Sequence, residues 1–170
     1  MIPKPPAAAD NLPGFSSSGH LPPGDYWPSR TDFHQRFVDV GASKTRRPIA
    51  NGWASHRSDL VACGCAPDSA CLLDGSYTSS KADPGDIDLV VIFAPPRDSK
   101  SFTATLALLR GPNMKAKYCC DAYPLIALPV THPKYATVTE KGLAYWRKWF
   151  GHDRSGAPKG RVWSRLDGLL

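Results

Sequence analysis

The chain has 170 residues, 42% of them hydrophobic, which suits one domain with a real core and argues against global disorder. It contains no run of 18 apolar residues and no apolar segment typical of a secretory signal. These absences exclude a membrane helix, and we expect a cytoplasmic protein that does not partner with a membrane. The net charge is +6, and residues 132–170 contain eight Lys and Arg against three acids. This basic C-terminal block would attract polyanions such as nucleic acid or a nucleoside triphosphate.

Residues 1–29 are predicted to form an extended or loosely docked arm that lies outside the core. The segment contains seven of the 17 prolines, is rich in Ala, Ser and Gly, and shows no apolar periodicity. A single domain is therefore expected over residues 30–170. Its alternating strands and helices predict an α+β fold, with a small mixed β-sheet and helices packed mainly on one face.

The remaining chain predicts elements in a regular order. They are a short helix over 31–40, a helix over 48–63, strands over 70–74 and 87–93, a helix over 102–109, a strand over 118–128, a helix from 137 to 150, and a last short strand over 161–166. The run from Ile87 to Phe93 is the strongest strand because its residues are largely β-branched and apolar.

The helix that ends at Phe150 has two further signals. Thr137 and Glu140 have the spacing of a capping box, which would satisfy the first free backbone N–H groups of the helix. Its apolar stripe comprises Leu143, Trp146, Trp149 and Phe150. Core packing of these aromatic residues is favoured over a base-stacking platform, since helical spacing of apolar side chains usually marks a buried face.

The five cysteines are predicted to be free thiols, because their number is odd and the expected compartment is reducing. A zinc site built on Cys63, Cys65 and Cys71 is disfavoured, because no matching Cys or His pair follows them.

One stretch combines a turn with two closely spaced carboxylates. Gly75-Ser76 follows a buried strand, and nine residues later Asp86-Ile87-Asp88 opens the next strand. Residues i and i+2 of a strand share a face, so Asp86 and Asp88 would project together and repel each other unless a divalent cation lies between them. Magnesium prefers such oxygen ligands, while Gly75 and the Ser76 hydroxyl would bind phosphate oxygens. The alternative interpretation is a common turn beside a solvated strand end.

This motif resembles the signature of the polymerase-beta-type nucleotidyltransferase superfamily, especially its minimal single-domain members. Tyr77 and Pro84 fit that pattern, whereas Ser79-Ser80 stand where the commonest form has Arg-Gly, which makes Lys81 a candidate substitute for phosphate binding. More narrowly, the region over residues 21–166 is similar to short bacterial and phage-borne nucleotidyltransferase-like proteins without an assigned substrate. The outer blocks that carry this narrower similarity are Leu21-Pro22-Pro23-Gly24, Tyr145-Trp146, Phe150-Gly151-x-Asp153-Arg154 and Pro158-Lys159-Gly160.

The resemblance implies a third carboxylate on a neighbouring strand, and Asp121 is the only acid between Asp98 and Glu140. It further implies two-metal phosphoryl transfer, in which Asp86, Asp88 and Asp121 bind Mg²⁺ or Mn²⁺ and a nucleoside monophosphate passes from an NTP to a hydroxyl on a protein, RNA or small molecule. A solvent-exposed strand-edge role for Asp121 remains the alternative.

The basic residues after the last helix have two interpretations. Arg154, Lys159 and Arg161 lie in or after a loop with Gly and Pro, where they either face water or contact the triphosphate or an RNA-like acceptor. Because the chain is too short for the second helical domain of larger relatives, a protein partner or a homodimer is a candidate source of further contacts. Two other functions stay open: a non-catalytic, antitoxin-like interaction module on the same fold, and a basic nucleic-acid-binding domain.

Overall fold

The computed structural model describes residues 9–111 and 113–170. The strands are β1 (Gly24–Tyr26), β2 (Ala70–Asp74), β3 (Ile87–Phe93), β4 (Cys120–Ile126) and β5 (Gly160–Arg165). The helices are α1 (Arg30–Phe33), which continues as a π-helical turn His34–Val38, α2 (Arg46–Ala62), α3 (Ser99–Arg110), α4 (Met114–Tyr118), and α5 (Lys141–Phe150), which is preceded by a π-helical turn Ala136–Glu140. Within these residues, none of the helices combines the length and the hydrophobicity that a membrane span requires.

The five strands form one mixed sheet in the order β1-β5-β2-β3-β4. β2 pairs antiparallel with both β3 and β5, whereas β1–β5 and β3–β4 are parallel. Pro124 is tolerated inside β4 because β4 is an edge strand of the sheet. The α+β fold predicted from the sequence is confirmed.

The helices α1 to α4 pack on one face of the sheet and α5 packs on the other. On the first face, Trp53 and Leu60 of α2 join Leu73 and Leu89 in the larger core. On the second face, a smaller core joins the sheet to α5; its buried members are Leu72, Val90, Ile92, Leu125, Leu143, Phe150 and Trp163. Successive strand residues contribute to opposite faces, and residues of even number on β2 and β3 therefore lie on the α5 side.

The N-terminal arm is not loosely docked, and this prediction is wrong for the residues that the structure describes. Leu12 and Leu21 are buried in the larger core, and β1 forms an edge of the sheet beside β5. The segment shows no apolar periodicity because it is extended and contributes one apolar side chain at a time. Carboxylates secure its backbone, since Asp32 accepts from the Leu12 N–H at 2.8 Å. Residues 1–8 of the predicted arm lie outside the described part.

The starts of β4 and of the helix α5 differ from the prediction. Residue 118 ends the short helix α4, so the strand β4 begins only at Cys120, after Cys119 turns the chain with a φ of 54°. The capping box at Thr137 and Glu140 does not form. Instead the Thr139 hydroxyl accepts from the Leu128 N–H and donates to the Ile126 carbonyl, both at 2.9 Å, which joins the start of α5 to the end of β4.

Candidate functional site

Three aspartates lie side by side across the sheet. The antiparallel register places Asp74 opposite Asp88, and the parallel register places Asp121 opposite Asp88 on the other side. Side chains of paired residues share a face, and Asp86 lies two residues before Asp88. All four carboxyl groups therefore gather where β2 ends and β3 begins. Sequence reasoning identified Asp86, Asp88 and Asp121, but it missed Asp74, which directly precedes Gly75.

The electrostatics of the cluster reflect its excess of negative charge. Burial, followed by repulsion from Asp86, Asp74 and Asp121, raises the pKa of Asp88 to about 6. Burial also raises the pKa of Asp74 to about 6, although Lys159 opposes that shift. A carboxyl group with a raised pKa is destabilised in its charged form, so the cluster would be stabilised by an added cation.

Two lysines supply part of the missing positive charge. The Lys115 ammonium forms an ion pair with Asp86. The buried Lys159 ammonium donates a 2.8 Å hydrogen bond to Oδ2 of Asp74; it also lies 2.7 Å from Oδ1, which receives no aligned hydrogen bond. Lys159, which was predicted to bind phosphate, thus reaches the site but is already paired with a carboxylate.

The donor chemistry of the site fits a divalent cation, although the side chains are not gathered around one position. Within residues 9–111 and 113–170, no three acidic, His or Cys side chains converge closely enough to hold a metal as they stand. Carboxylate oxygens are the preferred ligands of Mg²⁺ and Mn²⁺, and they are offered by Asp86 just before β3, by Asp88 on β3 and by Asp121 on the adjacent β4. Binding would require Asp86 to exchange Lys115 for the metal.

Gly75 connects the strand β2 to the phosphate-binding candidates. Its φ of 83° belongs to the left-handed region, and a Cβ at this position would overlap the Asp88 carboxylate. The chain continues as a single 3₁₀ turn, Ser76–Thr78. Ser76 borders the cleft into which the carboxylate cluster opens. The backbone turn at Gly75 thus lies against Asp88, and Ser76 lines the same cleft as the aspartates.

A buried arginine, missed by sequence reasoning, holds this loop in place. Arg46 is 2% exposed. Its guanidinium donates to the carbonyls of Phe37 at 3.0 Å, Tyr77 at 2.8 Å, Ser79 at 2.6 Å and Lys81 at 2.7 Å. Three of these carbonyls belong to the loop between Gly75 and Asp86, so Arg46 determines the path of its backbone.

The carboxylates open into a cleft of about 1600 Å³. One wall comprises the aspartate cluster and the loop that starts at Gly75. The opposite wall is formed by α5 and the following residues 152–156, and the arm residues 18–20 close a third side. Lys81 and Arg154, both predicted to bind phosphate, are exposed on the cleft walls, whereas Asp121 lies beside Asp88 without lining the cleft.

The prediction that Trp149 belongs to the core is wrong. Leu143 and Phe150 are buried and Trp146 packs against them, but the Trp149 side chain is 66% exposed and lines the cleft. It stacks with Tyr145, four residues earlier, because residues i and i+4 share one flank of a helix. That flank borders the cleft rather than the sheet.

Asp25 on β1 neutralises two arginines of the basic C-terminal block. Its carboxylate accepts from Arg161 Nε at 2.6 Å and Trp163 Nε1 at 2.8 Å, and it also pairs with Arg147 of α5. Burial acts to raise the pKa of Asp25, but the hydrogen bonds from Arg161 and Trp163 and the charges of the two arginines outweigh it and lower the pKa. Arg161, a candidate phosphate contact, therefore serves to join α5, β1 and β5.

We expect the Asp88→Asn variant to be more stable than the wild type without metal, by an amount that grows as the pH rises. The folded state raises the pKa of Asp88 above its ordinary value, so ionisation between about pH 4 and about pH 6 costs stability that the asparagine does not lose. His20 and His56, whose pKa values burial lowers, act in the opposite direction, and the difference between variant and wild type removes their effect. Thermal unfolding with a chelator should show a small difference in melting temperature at about pH 4, and a larger one in favour of the variant at about pH 7.5. A difference in melting temperature between variant and wild type that stays constant with pH would contradict the raised pKa of Asp88.

Comparison with known proteins identifies a family without assigning an activity. A family model described as "Family of unknown function (DUF6932)" matches residues 13–164, which is most of the chain, and the chain therefore belongs to this family. No curated protein and no solved structure matches it significantly.

Proposed function

We propose that this member of the DUF6932 family is a metal-dependent nucleotidyltransferase that transfers a nucleoside monophosphate from an NTP to a hydroxyl group. The observation that carries the proposal is the position of Asp88. It lies between Asp74 and Asp121 in the sheet, next to Asp86 and against Gly75, at the base of a large cleft. A carboxylate cluster beside a glycine-serine turn is suited to hold a cation and a polyphosphate together.

Different residues would bind the triphosphate and the metal ion. Gly75 and Ser76 would bind the triphosphate, with Lys81 and Arg154 adding positive charge from the cleft walls. A magnesium or manganese ion bound by Asp86, Asp88 and Asp121 would neutralise the carboxylates and polarise the phosphate oxygens.

In the proposed reaction, the acceptor hydroxyl oxygen forms a bond to the α-phosphorus of the NTP. The bond from that phosphorus to the oxygen bridging the α- and β-phosphates breaks, and pyrophosphate leaves with the electron pair. A carboxylate oxygen of Asp88, which lines the cleft, takes the hydroxyl proton. Positioning and charge neutralisation are the main contributions of the protein.

One observation favours a second function, a non-catalytic interaction module on the same fold. Lys115 and Lys159 already pair with Asp86 and Asp74, so the cluster is partly neutralised without a metal. The lysine of the first pair is largely exposed, with 63% of its side chain accessible, and an exposed ion pair contributes little free energy. A divalent cation would therefore meet little resistance from Lys115, which is why we favour the enzyme.

The proposed setting is the cytoplasm. Its support is the cysteine chemistry: Cys63, Cys65, Cys71, Cys119 and Cys120 are all free thiols, as expected in a reducing compartment. A protein partner or a homodimer would complete the open side of the cleft.

The test is the transfer of label from α-labelled but not γ-labelled NTPs. The purified chain is incubated with each nucleotide, Mg²⁺ or Mn²⁺, and a lysate of the source cells, and acid-insoluble label is measured. We expect label from the α-position only, because the β- and γ-phosphates leave as pyrophosphate, and we expect a chelator to abolish it. Transfer of the γ-label instead, or no transfer with any nucleotide, would reject the proposal.

A further inference from the structure

Two aromatic side chains of α5 are exposed on the cleft wall. Tyr145 is 56% exposed and Trp149 is 66% exposed. Their rings are parallel within 8°, with centroids 6.3 Å apart. Large aromatic side chains usually bury most of their surface, and a parallel exposed pair in a cleft provides flat faces on which a planar ligand can stack.

These rings form the outer end of an aromatic series that begins at the carboxylates. Tyr123 lies two residues after Asp121 on β4, and its ring centroid is 4.7 Å from that of Trp146. Trp146 in turn lies 5.1 Å from Tyr145, centroid to centroid. The stacking faces are thus on the β4 side of the carboxylate cluster.

Cations accompany the exposed rings. Lys148 and Arg154 are exposed and line the same cleft, and within the described residues neither forms a salt bridge. This contrasts with Arg147 and Arg161, whose charges Asp25 neutralises. Free cations interleaved with exposed aromatic rings are the combination that proteins use to bind single-stranded nucleic acid.

The cleft is also larger than one nucleotide requires. Ligand pockets usually have a volume of about 300–1,000 Å³, whereas this cleft measures about 1600 Å³. The turn at Gly75 and the rings of α5 line different walls of it, which leaves room for a second substrate beside the NTP.

We propose that Tyr145 and Trp149 stack on unpaired bases at the end of a single-stranded polynucleotide, whose terminal hydroxyl is the acceptor. The identity of this substrate rests on the proposed function, since the hydroxyl attacks the α-phosphorus and displaces pyrophosphate as described above. Lys148 and Arg154 contact the phosphate backbone of the strand. A protein acceptor would need neither the parallel rings nor the adjacent free cations.

Binding is measured first, without NTP and with a chelator, so that it does not depend on catalysis. Fluorescence anisotropy follows short end-labelled single strands of RNA and DNA and a blunt duplex at low salt. We expect the wild type to bind single strands more tightly than duplex, Trp149→Ala to weaken this binding about 5- to 150-fold, and Trp149→Phe to retain most of it. Lys148→Gln should reduce the slope of log affinity against log salt by about 1.

The matched control is Val61→Ala, which removes an exposed apolar side chain from α2 on the other face of the sheet and should leave binding unchanged. Because Trp149 is mostly exposed, its variants should melt at the wild-type temperature. The proposal is overturned if no single strand binds, if Trp149→Ala binds like the wild type, or if the only effect of Trp149→Ala is to dissociate a dimer in ultracentrifugation.

The acceptor role is tested with α-labelled NTP, metal, and single strands whose terminal hydroxyl is free or blocked. Label on the free strands alone supports the proposal, and comparison of RNA with DNA shows which sugar the site prefers. Label that appears only on protein would overturn the acceptor assignment but leave nucleotidyl transfer standing. Strand binding without any label transfer would instead reject the transferase and, with it, the acceptor role.

Discussion

Asp86→Asn combined with Asp88→Asn should reduce nucleotidyl transfer by at least about 10²-fold, because groups that stabilise developing charge commonly contribute that much each. The substitutions keep the size of both side chains but remove the negative charge that would attract a divalent ion. Burial and repulsion, which together raise the pKa of Asp88, no longer penalise a charge at this position, and we therefore expect the fold to be retained or strengthened. Transfer of α-label is the activity measurement, and thermal unfolding in chelator checks the fold.

The matched control for this double variant is Asp68→Asn, which changes an exposed aspartate in the turn before β2. It should transfer label at the wild-type rate. Magnesium should raise the melting temperature of the control but not that of the double variant, since only the control keeps the carboxylates of Asp86 and Asp88. Label transfer by the double variant at the rate of the control would end the assignment of Asp86 and Asp88 as metal ligands.

The central motif could be predicted because its information is local. Gly75-Ser76 and the pair Asp86 and Asp88 lie within 14 residues of chain, and the alternation of a strand is enough to place both carboxylates on one face. Asp121 was predicted from the resemblance and from the lack of other acids nearby, and the parallel register of β3 and β4 does place it beside Asp88. Its role as a ligand stays a prediction.

The partners of these residues could not be predicted, since they come from distant parts of the chain. Lys115 reaches Asp86 from α4, and Lys159 reaches Asp74 across 85 residues. No periodicity in the sequence marks such pairs. The exposed position of Trp149 was missed for a related reason, because apolar spacing predicts which residues share a helix flank but does not indicate whether that flank faces the sheet or a cleft.

The packing of the N-terminal arm also could not be predicted from the sequence. Proline and glycine content predicts an extended chain correctly, but whether an extended segment is solvated or packed depends on the surface it meets. Here β1 pairs with the free edge of β5, and the backbone N–H of Ser80 donates to the Gly19 carbonyl at 2.8 Å. The arm therefore forms a wall of the cleft.

Arg46→Met should destabilise the protein by about 3–5 kcal/mol, because it leaves several buried carbonyls without a donor. Methionine fills a similar volume but donates no hydrogen bond. The carbonyls of Phe37, Tyr77 and Ser79 would each lose a donor that is buried with them, and the partly buried contact to the Lys81 carbonyl would be lost as well. Each unsatisfied buried carbonyl costs about 1–3 kcal/mol, and water entering the loosened loop would recover part of the sum. Urea unfolding of variant and wild type measures the difference.

Arg47→Met provides the matched control, because it is the next residue in the helix and removes only an exposed ion pair to Asp39 at 2.7 Å. Exposed pairs contribute at most about 1 kcal/mol, so this control should unfold near the wild-type urea concentration. If both variants unfold together, Arg46 does not hold the loop. If Arg46→Met is less stable as expected, it should also bind NTP more weakly than Arg47→Met at a temperature where both are folded. That result would follow because the backbone between Gly75 and Asp86, which carries the proposed phosphate contacts, is attached to the α2 side of the sheet by this guanidinium.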